Sequence, residues 1–135
     1  MILVDSSLWI EFLRGSTSLP PEEGLAFRFA HCPPVVQEVM QGVKPEGAVP
    51  RIQRDLLAFH SLCDPMPAEV YLEAASLYRM LRRKGVTVRS SNDCLIAVVA
   101  MRNRVPVWHK DRDFGLIARY TALEAFEPPS RTSGK

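Results

Sequence analysis

Short apolar segments alternate with segments of helical character along this chain, and this alternation restricts its fold more than any other feature. The segments that we predict as strands are residues 1–4, 26–32, 61–63, 105–108 and 122–126. The segments that we predict as helices are residues 8–14, 33–41, 49–59, 67–84, 91–101 and 111–120. Strands that alternate with helices form a parallel sheet that is covered by helices on both faces. The sequence therefore predicts an α/β protein with a parallel sheet.

Two of the predicted helices differ in their apolar pattern. Val70, Ala74, Leu77 and Leu81 recur at helical spacing among charged residues, which predicts a helix with one buried face. Residues 95–101 are apolar nearly all round, which predicts a central, buried helix.

The composition indicates one soluble domain. The chain has 135 residues, of which 47% are hydrophobic and 24% charged, as in ordinary globular proteins. We expect a domain over residues 1–127, a disordered polar tail over residues 128–135 and a loop over residues 16–24. No apolar stretch approaches the roughly 20 residues that span a bilayer, and no basic region precedes the first apolar segment, so we expect neither a membrane helix nor a signal peptide.

The cysteines and the basic residues bear on location and partners. Cys32, Cys63 and Cys94 are widely spaced and odd in number, which argues against a disulfide scaffold or a zinc site and fits a reducing cytoplasm. Arginine outnumbers lysine thirteen to four, and guanidinium groups suit phosphate. A basic cluster permits a nucleic-acid partner, although we favour a solvated helix face as its explanation: Arg79, Arg82, Arg83, Lys84 and Arg89.

Acidic residues follow or face the predicted strands in a way that indicates a metal site. Asp5 ends the first apolar segment, and Asp111 comes shortly after the segment that ends at Trp108. The carboxyl ends of parallel strands share one edge of a sheet, where ligands bind. We expect five acids to meet there: Asp5, Glu38, Asp93, Asp111 and Asp113. Clustered carboxylates repel one another, and Mg²⁺ prefers such oxygen ligands, so this edge is predicted to bind Mg²⁺ or Mn²⁺ and to support metal-assisted hydrolysis.

Each acid also has a purely structural alternative. Asp5 and Asp111 can cap the helices that follow them, Ser90 and Asp93 resemble a capping box, and Glu38 can be a solvated surface residue. The electrostatic cost of the whole cluster favours an ion, because two charges ~4 Å apart cost about 4 kcal/mol at an effective dielectric near 20.

Several of these motifs together resemble the PIN-domain ribonucleases and, more closely, the VapC-type toxins of bacterial toxin–antitoxin pairs. The most specific parts are the opening LVDSSLWIEFLRG and the closing HKDRDF, and the likeness extends from Met1 to about Phe126. The resemblance implies a three-layer α/β/α sandwich with a parallel sheet of about five strands. It also implies Mg²⁺- or Mn²⁺-dependent cleavage of RNA. The acidic quartet of the family corresponds to Asp5, Glu38, Asp93 and Asp111, with Asp113 as a nearby fifth acid.

The same resemblance implies partners and a supporting residue. It implies a homodimer, a small VapB-like antitoxin and a hydroxyl beside the metal site, which here is Ser6 or else an ordinary helix cap. Leu8, Trp9, Phe12 and Leu13 crowd one short helix and form either an exposed docking patch or part of the core.

Other interpretations remain open from the sequence. His109 either contacts substrate or packs at a strand end, and we favour packing. We interpret Trp9, Phe12, Trp108 and Phe114 as core residues rather than as platforms for bases. A non-catalytic interaction module with the same fold is one alternative function. A phosphatase-like Mg²⁺-dependent hydrolase of the haloacid dehalogenase type is another, but it needs a second aspartate where this chain has Ser7.

Overall fold

A five-stranded parallel sheet organises the protein, as seen in a computed structural model that describes residues 1–15 and 25–127. Its strands are β1 Ile2–Val4, β2 Phe29–His31, β3 His60–Ser61, β4 Val107–Trp108 and β5 Ala125–Phe126. Their order in the sheet is β3-β2-β1-β4-β5, and every pair is parallel. The predicted parallel α/β/α architecture is confirmed. The predicted loop over residues 16–24 and the predicted tail over residues 128–135 lie outside the described residues.

Six α-helices of the described residues cover the sheet. They are α1 Ser6–Leu13, α2 Pro33–Gln41, α3 Val49–Leu57, α4 Ala68–Arg83, α5 Ser91–Asn103 and α6 Arg112–Ala118. Short 3-10 helices occupy Leu25–Arg28 and Glu46–Ala48. Helices α1, α2 and α3 contact one another, and α5 packs between α4 and α6 while also touching α2. None of the described helices combines the length and apolar character that crossing a membrane requires.

The core forms where the sheet meets α1 and α5. Strand β1 is buried along its whole length, and α5 buries an unbroken run from Ile96 to Ala100, as its all-round apolar sequence predicts. Trp9 packs edge-on against Phe59 at 5.0 Å between ring centroids, and Phe12 packs against Phe29 at 5.2 Å. Such aromatic pairs stabilise a core beyond the area they bury.

The apolar residues of α1 belong mainly to this core. Leu8 and Trp9 are completely buried, and Phe12 and Leu13 are partly buried against the core cluster. Of the two alternatives for this helix, the structure favours the core over an exposed patch. Trp108 and Phe114 are buried as well, as expected from the sequence.

The second predicted strand was wrong at its start. We predicted a strand over residues 26–32, but Leu25–Arg28 is a 3-10 helix and β2 begins only at Phe29. An interior strand of a parallel sheet is covered on both faces, and Phe27 and Arg28 are exposed. The ladder with β1 therefore starts where Phe29 can pair with Ile2.

The later strands are shorter than predicted for local reasons. Pro106 has no N–H and cannot donate to a ladder, although its carbonyl accepts from the Leu3 N–H at 2.9 Å. Strand β4 is accordingly limited to Val107–Trp108. Strand β3 ends before Cys63, whose φ of 55° lies in the left-handed region.

Candidate metal and catalytic site

Asp5 lies at the end of the central strand, where β1 passes into α1. Its backbone N–H donates to the Trp108 carbonyl at 2.9 Å, which holds the ends of β1 and β4 together. Asp5 occupies the N-cap position of α1, but its side chain makes no capping hydrogen bond. The carboxylate is buried, and the nearest hydroxyl partner is Ser7 Oγ, 3.5 Å from Oδ2. The structural alternative of a capping aspartate therefore does not explain this side chain.

Glu38 enters the site from α2, and a partner that we did not predict positions it. The side-chain amide of Asn92 donates to Glu38 Oε2 at 3.1 Å. Asn92 stands at the start of α5, and α2 contacts α5 directly. The half-buried Glu38 is thus held toward Asp93 rather than left as a freely solvated surface residue.

Asp93 occupies the first turn of α5 and is the least satisfied acid of the cluster. Ser90 caps this helix as predicted, by accepting from the Asn92 N–H at 3.3 Å, although the bond is to Asn92 rather than to Asp93. Asp93 itself is 5% exposed, and its buried Oδ2 has no hydrogen-bond partner among the described residues. A buried, unpartnered carboxylate oxygen is costly, so this atom is suited to a cation or a proton.

Asp111 and Asp113 form a second, better-satisfied pair. Asp111 caps α6 by accepting from the Asp113 N–H at 3.0 Å, so its structural alternative is correct as well. Arg89 binds both acids: its Nη2 lies 2.7 Å from Asp111 Oδ1, and its Nε lies 3.4 Å from Asp113 Oδ2. The backbone N–H of Arg89 also donates to Asp113 Oδ2 at 2.9 Å.

The structure brings all five predicted acids together. Asp5, Glu38, Asp93 and Asp111 line one cleft of about 320 Å³, and Ser6 lines it with them. Carboxylate oxygens of Asp93, Asp111 and Asp113 lie within 4.8 Å of one another. The exposed Lys110 also lines the cleft and forms an ion pair with Glu11.

Burial and mutual repulsion shift the acidity of the two central acids. Burial, reinforced by the charges of Glu38 and Asp111, raises the pKa of Asp5 to about 6. Burial, followed by the charges of Asp111, Asp5 and Asp113, raises the pKa of Asp93 to about 8. Asp93 therefore holds a proton at neutral pH unless a cation replaces it.

This donor set fits a hard divalent cation. It consists of carboxylate oxygens from four elements, and one of those oxygens is buried without a partner. Oxygen ligands of this kind suit Mg²⁺ and Mn²⁺. The nearby His109 is buried against Phe114, with 5.4 Å between ring centroids, and burial lowers its pKa. Its position agrees with the packed alternative that we favoured.

Sequence reasoning missed two residues of the site. Arg89 was assigned only to a basic cluster, and Asn92 received no role, although both touch predicted acids. The one local signal was their position in the segment that leads into Asp93.

Comparisons with known proteins agree with this geometry. The chain is 38% identical over 131 residues to Ribonuclease VapC11 of Mycobacterium tuberculosis and, equally, to a VapC ribonuclease of Mycobacterium bovis. Each alignment covers 93% of this chain and 97% of the relative.

Solved structures share the fold at lower sequence identity. The VapBC2 complex of Rickettsia felis bound to a promoter DNA fragment contains a chain with a TM-score of 0.72 at 18% identity, covering 94% of this chain and 98% of that one. The VapBC-5 complex of M. tuberculosis gives a TM-score of 0.64 at 18% identity, covering 93% and 96%. The PIN domain family matches residues 2–120. With its acids gathered at the carboxyl edge of a parallel sheet, this chain belongs to the PIN domain family.

Proposed function

We propose that this protein is a metal-dependent endoribonuclease that acts as the toxin of a type II toxin–antitoxin pair. The observation that carries this proposal is the cleft in which Asp5, Glu38, Asp93 and Asp111 converge, with one buried Asp93 oxygen left unpartnered. Two relatives that align over nearly the whole chain are named as VapC ribonucleases, which supports the same activity here.

We assign the metal to the acidic cleft. Asp5, Glu38, Asp93 and Asp111 would hold Mg²⁺ or Mn²⁺, with Asp113 close by and Ser6 beside them. When bound, such a cation lowers the pKa of water and offsets negative charge on a phosphodiester.

The protein's own residues prepare this site. Asn92 orients Glu38, and Arg89 neutralises Asp111 and Asp113 until a cation takes over part of that role. One carboxylate of the cluster accepts the proton that the attacking water loses. The exposed mouth of the cleft admits a phosphodiester of a single-stranded segment. We expect the substrate to present an accessible loop rather than a duplex, because A-form helices hide their base edges from side chains.

The partners follow from the proposed function. We expect a homodimer and a small VapB-like antitoxin, since chains of similar fold were solved within VapBC complexes. We place its action in the cytoplasm, where the free thiols of Cys32, Cys63 and Cys94 would stay reduced. The phosphatase-like alternative lacks its second aspartate, because Ser7 stands at that position.

Cleavage of cellular RNA by the purified protein tests the activity. We expect endonucleolytic cuts in Mn²⁺ or Mg²⁺ that EDTA stops and that Asp93→Asn abolishes, with the fold checked by circular dichroism. Asp64→Asn is the matched control, because Asp64 is exposed and does not line the cleft. Mapping the new RNA 5′ ends identifies the substrate. Absence of metal-dependent cleavage of any cellular RNA would leave the non-catalytic interaction module as the remaining function.

Co-expression tests the toxin assignment separately. The chain should arrest growth when expressed alone, and the neighbouring upstream reading frame should relieve the arrest and co-purify. If neither arrest nor co-purification occurs while RNA cleavage persists, the toxin role is wrong and the nuclease role stands.

A further inference from the structure

A second concave surface lies beside the acidic cleft, between α4 and α5. This α4–α5 groove has a volume of about 610 Å³, and its walls include Tyr71, Tyr78, Arg79, Arg89, Ser91 and Leu95. The small side chains of Ala74 and Ala75 form part of it. Pockets that hold small ligands typically measure about 300–1,000 Å³, so this groove has the size of a nucleotide-binding pocket.

The aromatic residues of this groove are more exposed than those of the core. Trp9, Trp108 and Phe114 are in the core, whereas Tyr71 is 51% exposed. Tyr78 is half-buried, and the Arg82 guanidinium lies 5.8 Å from its ring centroid. Exposed aromatic rings next to arginines are the elements that bind single-stranded nucleic acid, through stacking on bases and attraction to phosphates.

The charge around the groove suits an anionic ligand. Arg79 is exposed on its wall, and the end of α4 carries Arg82, Arg83 and then Lys84. The acids of the same helix are fewer: Glu69 lies in its first turn, and Glu73 pairs with Arg102 at 3.5 Å. The C-terminal half of α4 therefore presents positive charge to the solvent.

One short segment joins the groove to the acidic cleft. Val88, Arg89 and Ser91 line the groove, while Ser90 between them lines the cleft. The Arg89 side chain extends from the groove wall to Asp111, at 2.7 Å. A strand of nucleic acid that lies in the groove is thereby led past Arg89 to the carboxylates.

We propose that the α4–α5 groove binds the single-stranded RNA that flanks the scissile phosphate, with a base stacked on Tyr71 and a backbone phosphate paired with Arg79. This inference rests on the proposed nuclease function, which it deepens by assigning a substrate-binding subsite. The groove supplies binding that is separate from the acids, so its loss weakens substrate affinity more than the chemical step.

Binding in EDTA tests the groove without cleavage. The probe is a short, fluorescein-labelled 2′-O-methyl oligouridine, followed by fluorescence anisotropy. Tyr71→Ala should weaken binding about five-fold or more, the loss expected for one base stack. Leu72→Ala is the matched control, because Leu72 is the next residue of α4, is 69% exposed and does not line the groove.

Salt dependence tests the phosphate contact. Arg79→Gln should lower the slope of log affinity against log salt by about 0.7, the value for one phosphate contact on a single strand. Arg54→Gln on α3 is the control, since Arg54 is exposed and outside the groove. Circular dichroism verifies that each variant folds. If Tyr71→Ala does not fold, Arg79→Gln alone is sufficient for the test.

The outcomes separate this inference from the proposed function. Cleavage by the wild type combined with unchanged oligonucleotide binding in Tyr71→Ala and Arg79→Gln overturns the groove while leaving the nuclease intact. A change from dimer to monomer in Tyr71→Ala, with unchanged oligonucleotide affinity, assigns the groove to a second copy of the chain and also overturns it. In the cleavage assay the two variants should raise KM with little change in kcat.

Discussion

The acidic cluster has two halves, Asp111 with Asp113 and Asp5 with Asp93, and the repulsion between carboxylates is relieved differently in each. Asp111 and Asp113 share the guanidinium of Arg89, and backbone N–H groups satisfy them further. Asp5 and Asp93 have no cationic partner among the contacts of the described residues, and their pKa values rise to about 6 and about 8. One half is neutralised by the protein itself, while the other half takes up protons.

This difference predicts which acids contribute most to the affinity for a cation. At neutral pH a metal has to displace a proton from Asp93 and finds Asp5 mostly ionised, whereas Arg89 must yield part of its contact with Asp111. We therefore expect the two buried acids to dominate metal affinity and Arg89 to oppose it slightly.

Substitution of Asp93 should have the largest effect. Asp93→Asn removes the unpartnered carboxylate oxygen at almost constant volume. Because loss of an outer partner alone costs roughly 10–100-fold in metal affinity, loss of a ligand should lower Mn²⁺ affinity by more than about 100-fold. Isothermal titration calorimetry measures it, and equal affinity in the variant would remove Asp93 from the site.

The pH dependence of the metal-free protein should come next. The folded-state pKa of Asp93, about 8, and that of Asp5, about 6, exceed their ordinary value of 3.8. The folded state thus binds more protons at these two acids than the unfolded state does, and their contribution to stability falls as pH rises from about 4 through 8. Melting temperature in EDTA should drop by several degrees over this range, and saturating Mn²⁺ should restore it at the alkaline end.

Asp93→Asn supplies the control for this pH profile. The variant should lose the decline above about pH 7, since Asp93 is the one of these two acids that still titrates there. A wild-type melting temperature that rises steadily from acid to alkaline pH in EDTA would contradict the difference between the two halves.

Removal of the Asn92 amide should have a smaller effect. Asn92→Ala leaves every carboxylate in place but releases Glu38 from its hydrogen bond. Metal affinity should fall about 10-fold, at the lower end of the range for outer partners. Gln37→Ala is the matched control, because its exposed amide donates to Gln41 on the same helix. Equal losses in both variants would mean that orientation of Glu38 is unimportant.

Arg89→Met should give the smallest change and the opposite sign. Without the guanidinium, the metal-free protein should melt at a lower temperature, because Asp111 and Asp113 then repel each other unopposed. Mn²⁺ affinity should rise modestly, since a competing positive charge is gone. Arg102→Met, which breaks the exposed pair with Glu73, is the control. A fall in Mn²⁺ affinity would show that Arg89 orients the acids rather than competing for them.

Local sequence patterns predicted the sheet and the identity of the acids. Asp5 directly follows an apolar strand, and Asp111 stands shortly after another, so their meeting at one edge follows from parallel topology. The start of β2 was not predictable in this way. Phe27 is apolar like a strand residue, and only the absence of a covering layer over it excludes it from the sheet.

The contacts between distant residues lay beyond sequence reasoning. Arg89 and Asp113 are 24 positions apart, and Asn92 and Glu38 are 54 apart, so no local pattern links them. Their pairing depends on how α2, α5 and α6 dock, which is decided by packing over the whole core. The sequence indicated which acids meet. It did not indicate that Asp111 and Asp113 pair with Arg89 while the pKa values of Asp5 and Asp93 are raised.

The position of β1 in the middle of the sheet has a consequence during synthesis. Leu3 pairs with Ala30 on one side and with Val107 on the other. Because β4 is synthesised long after β1, β1 cannot be paired on both sides until β4 has been made, and Asp5 cannot meet Asp111 before then. The acidic cleft is therefore incomplete in a growing chain until the residues up to Asp111 have been synthesised.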